Sequence, residues 1–206
     1  MFTRNRLLIN ELFKDPDSYL DKDINVCGWI ENFRVQKNNG ISFINLNDGS
    51  GIESLQIIID PKSPDDLENY DSIYTDGTKG VSIKVYGTVI TSPAKGQSIE
   101  LKCKSLKILG RVNASEYPIS KKKLTLEYLR KYPHLRARTK TIASVARVRN
   151  ICSIATHEYF QSIKCKYVHT PIITSNDCEG AGETFDISNK LNDSELFFGN
   201  NVNLTV

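Results

Sequence analysis

Residues 40–60 read "GISFINLNDGSGIESLQIIID", two β-rich runs joined by a short polar segment. Along "SFINLN" (42–47) successive side chains point to opposite faces, so Ile44 and Leu46 share one face and Phe43, Asn45 and Asn47 the other. "ESLQIIID" (53–60) repeats the pattern, with Leu55 and Ile57 set against Ser54 and Gln56. Between them "NDGSG" (47–51) has the composition of a hairpin connection. The stretch therefore reads as paired strands with one apolar face and one polar face, and the polar face carries an aromatic ring. Core burial does not explain Phe43 there. An exposed ring beside amides offers stacking to a base and hydrogen bonds to its edge. Coverage of Phe43 by the N-terminal segment is the alternative.

Three more runs have the same character: "INVCGWIE" (24–31) before the hairpin, "VSIKVYGTVI" (81–90) and "SIELKCKSLKIL" (98–109) after it. "SPAKGQ" (92–97) separates the last two as a loop, and "SPDDLENYDSIY" (63–74) opens on a cap-and-Pro signal that fits one short helix. Five short strands with a helix between the third and fourth match the OB-fold, a small Greek-key barrel that binds single strands. A small sandwich would present a similar strand count.

The period changes after Gly110. Residues 111–140, "RVNASEYPISKKKLTLEYLRKYPHLRARTK", read as a connector with one short helical stretch around "TLEYLRKY". Ile142, Val145, Val148, Cys152, Ala155, Tyr159 and Ile163 then recur at three- and four-residue steps, an amphipathic helix of about twenty residues with Arg147 and Arg149 off its apolar stripe. "YVHTPIIT" (167–174) reads as a following strand in which Pro171 requires an edge or interface position. An acidic, Gly-containing loop, "SNDCEGAGETF" (175–185), comes next. Its carboxylates stand where a phosphate would want cations.

Composition narrows the function classes. The 206 residues are 39% hydrophobic and 25% charged, the balance of a soluble globular chain. No apolar run has membrane-spanning length, and "MFTRNRLLINELFKDPD" lacks the apolar centre of a signal peptide, so a cytoplasmic location is expected. Cysteines 27, 103, 152, 165 and 178 show no CxxC spacing and do not cluster with His134, His157 or His169, which argues against a metal site and a disulfide framework. A net charge of +3 establishes no nucleic-acid partner. The local stretches "SKKKL" (120–124) and "HLRARTK" (134–140) fit either a nucleic-acid contact or a solvated surface.

"CGWIENFR", "GISFINLNDGSGIESLQIII" and "GTVITSPAKGQSIEL" together resemble the anticodon-binding OB-fold of class II synthetases for Asp, Asn and Lys. "TLEYLRKYPHLRARTKTIASVARVRN" and "VHTPIITSNDCEGAGETF" resemble asparaginyl-tRNA synthetases in their bacterial form, with "EGAGE" the most discriminating element. The resemblance covers nearly the whole chain. It implies an all-β OB-fold barrel over residues 1–110, a connector over 111–140, and over 141–206 the beginning of an α+β class II catalytic domain.

By position the resemblance assigns Phe43 to stack on an anticodon base, Gln56 to bond the central uridine, and Arg34 to contact the anticodon. The helix from Thr141 and the strand ending in Pro171 resemble motif 1, which implies a homodimer interface. Glu179 would pair with the ammonium of asparagine, inside a mobile loop from Ser175 through Asp177 to Glu183. Asn32 and Phe33 depart from the arginines the family carries there, and Lys164 and Cys165 from its usual Gly and aromatic. A weaker hold on RNA and a weaker dimer are the expected consequences.

The resemblance implies joining of asparagine to tRNA(Asn) through an asparaginyl-adenylate, using ATP and Mg²⁺, with motifs 2 and 3 supplying the arginines that grip ATP. No counterpart of those motifs stands before Val206. The chain by itself is therefore expected to bind asparagine weakly, to hold neither ATP nor Mg²⁺ tightly, and to carry no catalytic residue. Three readings remain: the front part of an asparagine–tRNA ligase, an inactive anticodon-binding protein, and a general single-strand-binding barrel.

Overall fold

The computed structural model describes residues 6–37, 40–61, 70–94, 96–119, 124–176, 184–187 and 196–205. Two compact units divide the chain, Met1–Asn150 and Ile151–Val206.

In the first unit β1 (Asp23–Val35), β2 (Ser42–Asn47), β3 (Leu55–Ile59), β4 (Ser82–Thr91) and β5 (Ile99–Gly110) close into a barrel in the order β1-β2-β3-β5-β4. Only the β3–β5 pair is parallel. A closed barrel, with helix α2 (Tyr70–Asp76) between β3 and β4, is the OB arrangement and excludes the sandwich. The expected start of that helix, residues 63–69, lies outside the described residues.

Alternation builds the core. Ile44 and Leu46 from β2, Leu55, Ile57 and Ile59 from β3, Ile83, Val85 and Val89 from β4, and Leu101 from β5 are fully buried. Each such side chain stabilises the fold by about 1.5–3 kcal/mol relative to exposure. Gly28 lets β1 approach β2 closely, since a Cβ there would lie 2.7 Å from the Asn47 carbonyl oxygen.

One helix escapes the sequence reading. α1 (Ile9–Lys14) buries Ile9 and Leu12 in the barrel core. Its preceding residue Leu8 supplies no side-chain cap. The β2–β3 turn caps it instead: Asp48 Oδ2 accepts the Ile9 N–H at 3.0 Å, and Ser50 Oγ accepts the Asn10 N–H at 3.0 Å. These bonds satisfy amides that have no partner within the helix.

Beyond Gly110 the connector forms α3 (Leu126–Arg130), where Thr125 Oγ1 accepts the Tyr128 N–H at 3.2 Å. Leu129 and Ile119 are buried. The Arg138 guanidinium lies 4.5 Å from the centre of the Trp29 ring and donates to the Gly80 carbonyl at 3.5 Å.

The expected amphipathic helix is α4 (Lys140–Ser162), and none of its residues is buried. In the second unit the strand read over 167–174 contracts to β6 (Ile173–Thr174), which pairs antiparallel with β7 (Asn203–Leu204). Pro171, lacking an N–H, lies just before that short ladder. Tyr167 instead spends its hydroxyl on His169 Nδ1, at 2.9 Å, and sets its ring edge-on to His157. Among the described residues, no helix is long and apolar enough to cross a membrane.

Candidate nucleic-acid interface

The outer faces of β1, β2 and β3 gather the three residues expected to read RNA. A β-bulge makes this possible. From Ile24 to Ile30 the even-numbered residues of β1 face the core, and strict alternation would carry Asn32 and Arg34 inside as well. The register shifts between Ile30 and Asn32, so Glu31 is the extra residue. Past it Phe33 turns inward opposite Ile44, and Asn32 and Arg34 turn outward opposite Asn45 and Phe43. Phe33 packs against the core and meets the Tyr74 ring edge-on at 6.0 Å. It therefore serves the barrel at a position where the resemblance implies an arginine.

Phe43 is half-buried on the outer face, and the Arg34 guanidinium lies 4.8 Å from its ring centre. Such a cation–π pair contributes about 0.5–1 kcal/mol at an exposed site. Because the guanidinium lies over the ring, a base reaches that face of Phe43 by displacing it, or stacks on the guanidinium plane itself.

Gln56 sits in the same ladder row as Asn45 and Asn32. Its Nε2 donates to Glu100 Oε1 at 3.1 Å. Glu100 is 2% exposed, and also accepts from Ser92 Oγ at 2.6 Å and from Gln97 Nε2. A carboxylate only accepts, so it fixes which end of the Gln56 amide faces it. The remaining amide N–H and the Oε1 of Gln56 are left for a ligand. Glu100 has the outward parity of Lys102, one residue off buried Leu101, yet a lone Glu in a strand reads as solvated surface. Only the packed loop around Ser92 and Gln97 reveals its role.

Two charges brace the interface from outside it. The Arg147 guanidinium donates to the carbonyls of Gly49 and Gly51 at 2.8 Å each, holding the β2–β3 turn. Asp23, at the start of β1, accepts from Lys104 Nζ at 2.8 Å, Thr88 Oγ1 at 2.7 Å and Tyr86 OH at 2.9 Å. The Lys104 hydrogen bond, followed by those from Thr88 and Tyr86, lowers the Asp23 pKa from 3.8 to about 2. Burial instead pushes the Cys103 thiol, inside the barrel, up to about 12.

Of the residues assigned to the amino-acid loop and the dimer seam, Pro171 and Ser175 are described, in the second unit. Pro171 is exposed before β6, and Ser175 is exposed just after it. Asp177 and Glu179 lie outside the described residues. Among those described, no group of three or more His, Cys, Asp or Glu side chains could hold a metal ion.

Comparison with known proteins follows the same division. The model of an OB-fold nucleic acid binding domain, of the tRNA anticodon type, matches residues 24–109. An asparagine–tRNA ligase of Clostridium kluyveri is 41% identical over 98% of this chain and 44% of its own length. One from Microcystis aeruginosa is 41% identical over 96% of this chain and 43% of its own. The chain thus spans less than half the length of these curated relatives. The crystal structure of asparaginyl-tRNA synthetase from Pyrococcus horikoshii, complexed with asparaginyl-adenylate, superposes with a TM-score of 0.79 at 18% identity, over 98% of this chain and 43% of that one. At that identity the likeness is one of fold.

Proposed function

Because the chain belongs to the asparagine–tRNA ligase family, whose N-terminal part it carries, we propose that its barrel binds the anticodon of tRNA(Asn) for a ligase that joins asparagine to that tRNA. The observation that carries this reading is the shared outer face of Arg34, Phe43 and Gln56. Phe43 is the platform for one anticodon base, which takes the place of the Arg34 guanidinium over the ring or stacks on it. Gln56, held by Glu100, meets the central uridine: its Oε1 accepts from the uracil N3–H, and its second amide N–H donates to a uracil carbonyl.

The wider activity is proposed for the whole protein. There asparagine is activated with ATP and Mg²⁺, and the loop of Ser175, Asp177 and Glu179 receives its ammonium. Among the described residues no group of three or more His, Cys, Asp or Glu side chains could hold the metal. A homodimer through α4 and Pro171 and a cytoplasmic location complete the proposal. Exposed Val148, Ile151 and Phe160 on α4 support the dimer.

Replacing Phe43 by Ala tests the central claim. Binding of tRNA with anticodon GUU, followed by fluorescence anisotropy, should weaken by roughly 1–3 kcal/mol, the worth of one base stack. Unchanged affinity would remove the barrel from anticodon recognition. Equal affinity of the parent chain for poly-dT would point to a general single-strand binder.

A further inference from the structure

We infer that a cleft between the barrel and the connector is a subsite for one more RNA nucleotide, contiguous with those on the barrel face and selected for an exocyclic amine. The inference rests on the anticodon-binding reading above.

Three observations lead to it. The first is continuity. The cleft, about 390 Å³, is lined by Asn32 and Asn45 together with Glu31, Arg138, Lys140 and the apolar Leu129. Asn32 and Asn45 belong to the ladder row that ends in Gln56. A strand lying across that row therefore reaches two residues that also line the cleft. The volume is within the range of small-ligand sites.

The second is the arrangement of charge. Arg138 is held over Trp29 and against the Gly80 carbonyl, so its position does not depend on a ligand. Lys140 is the first residue of α4, whose first turn has no acidic residue. The helix dipole disfavours a cation at that end and favours an anion. A phosphate against Lys140 would relieve the conflict, with Arg138 also lining the cleft.

The third is Glu31, the bulged residue of β1. Its Oε2 accepts the Ser54 hydroxyl at 2.6 Å, which fixes the carboxylate at the cleft. Ser54 occupies Oε2, and the other carboxylate oxygen can still accept from a donor on a ligand. The amino group of adenine, cytosine or guanine supplies one, and uracil does not. Glu31 therefore sets the base preference, while Arg138 and Lys140, which line the same cleft, hold the backbone.

The test uses the full 206-residue chain and fluorescein-labelled RNA hairpins with GUU in the loop, flanked by either adenosine or uridine, titrated by anisotropy over a salt series. Lys140→Ala should weaken binding and make the log–log salt slope shallower by about 0.7, the share of one single-strand phosphate contact. Lys140→Arg should restore the slope. Glu31→Gln should erase the preference for adenosine over uridine. Phe43→Ala, run alongside, separates the two levels of the argument. If it weakens binding while Lys140→Ala and Glu31→Gln leave affinity, slope and base preference unchanged, the cleft holds no nucleotide and the barrel reading survives. If Phe43→Ala also binds like the parent, both fall. Free AMP binding as tightly as the hairpin would overturn the assignment to a contiguous strand.

Discussion

The barrel and the second unit treat their apolar residues in opposite ways. Ile44, Leu46, Ile57 and Leu101 are fully buried, each by strands that pair within the same closed sheet. Beyond residue 150, Val202 is the one buried hydrophobic among those described. Ile151 keeps 65% of its surface exposed and Tyr159 62%. A sheet closed on itself completes its own core. A single helix has no such option, because its apolar stripe is covered only by another element. Periodicity thus identifies an apolar face in both regions, but only in the barrel is that face buried among the described residues.

The most severe test of this contrast is truncation of one residue on each side. Ile57→Ala should cost about 2–5 kcal/mol of unfolding free energy, the toll of a cavity in a packed core. Ile154→Ala on exposed α4 should change stability by no more than about 0.5 kcal/mol. Urea denaturation of the two variants decides. Comparable losses would mean that α4 is packed in solution as tightly as the barrel.

A smaller effect is expected where the two behaviours meet. α4 is exposed, yet Arg147 on its early turns grips two carbonyls of the β2–β3 turn. Arg147→Ala should destabilise the chain by about 1–3 kcal/mol, since hydrogen bonds from a charged donor are among the stronger ones. Hydrogen exchange should rise at residues 140–150 and at the turn. An unchanged exchange pattern would leave the helix start held by its backbone alone.

Legibility in the sequence divides along the same line. Side-chain parity alone marks Phe43 and Gln56 as outward, and both are half-buried on the outer face. The helix at residues 140–162 is equally plain from its period. Arg34 is different: the alternation of Ile24, Val26 and Ile30 extends it into the core, and the bulge at Glu31 reverses that. Only family resemblance singles it out. α1 is silent because its capping groups, Asp48 and Ser50, are 39 and 40 residues away. Glu100 is silent because its partners come from a loop whose path no local pattern specifies. "YVHTPIIT" has the composition of a strand, but only Ile173 and Thr174 find a ladder partner.

The smallest expected effect concerns the Asp23 cluster, which ties β1 to β4 and β5 from the solvent side. Its carboxylate titrates from 3.8 down to about 2 in the folded chain, chiefly through the Lys104 hydrogen bond. A lowered folded-state pKa means that the unfolded chain binds the proton more readily. The contribution is therefore fully present above about 3.8, and is lost as pH falls through about 2. Asp23→Asn should flatten the fall of the urea midpoint in that window. At pH 7 the cost should be slight, because the pair is open to water and well screened. Ile57→Ala, by contrast, should lower the midpoint equally at pH 7 and pH 3. A drop at pH 7 for Asp23→Asn that rivals the Ile57→Ala drop would relocate the barrel's stability. The polar bonds across β1, β4 and β5 would then matter as much as the core, and the contrast with α4 would rest on pairing rather than on burial.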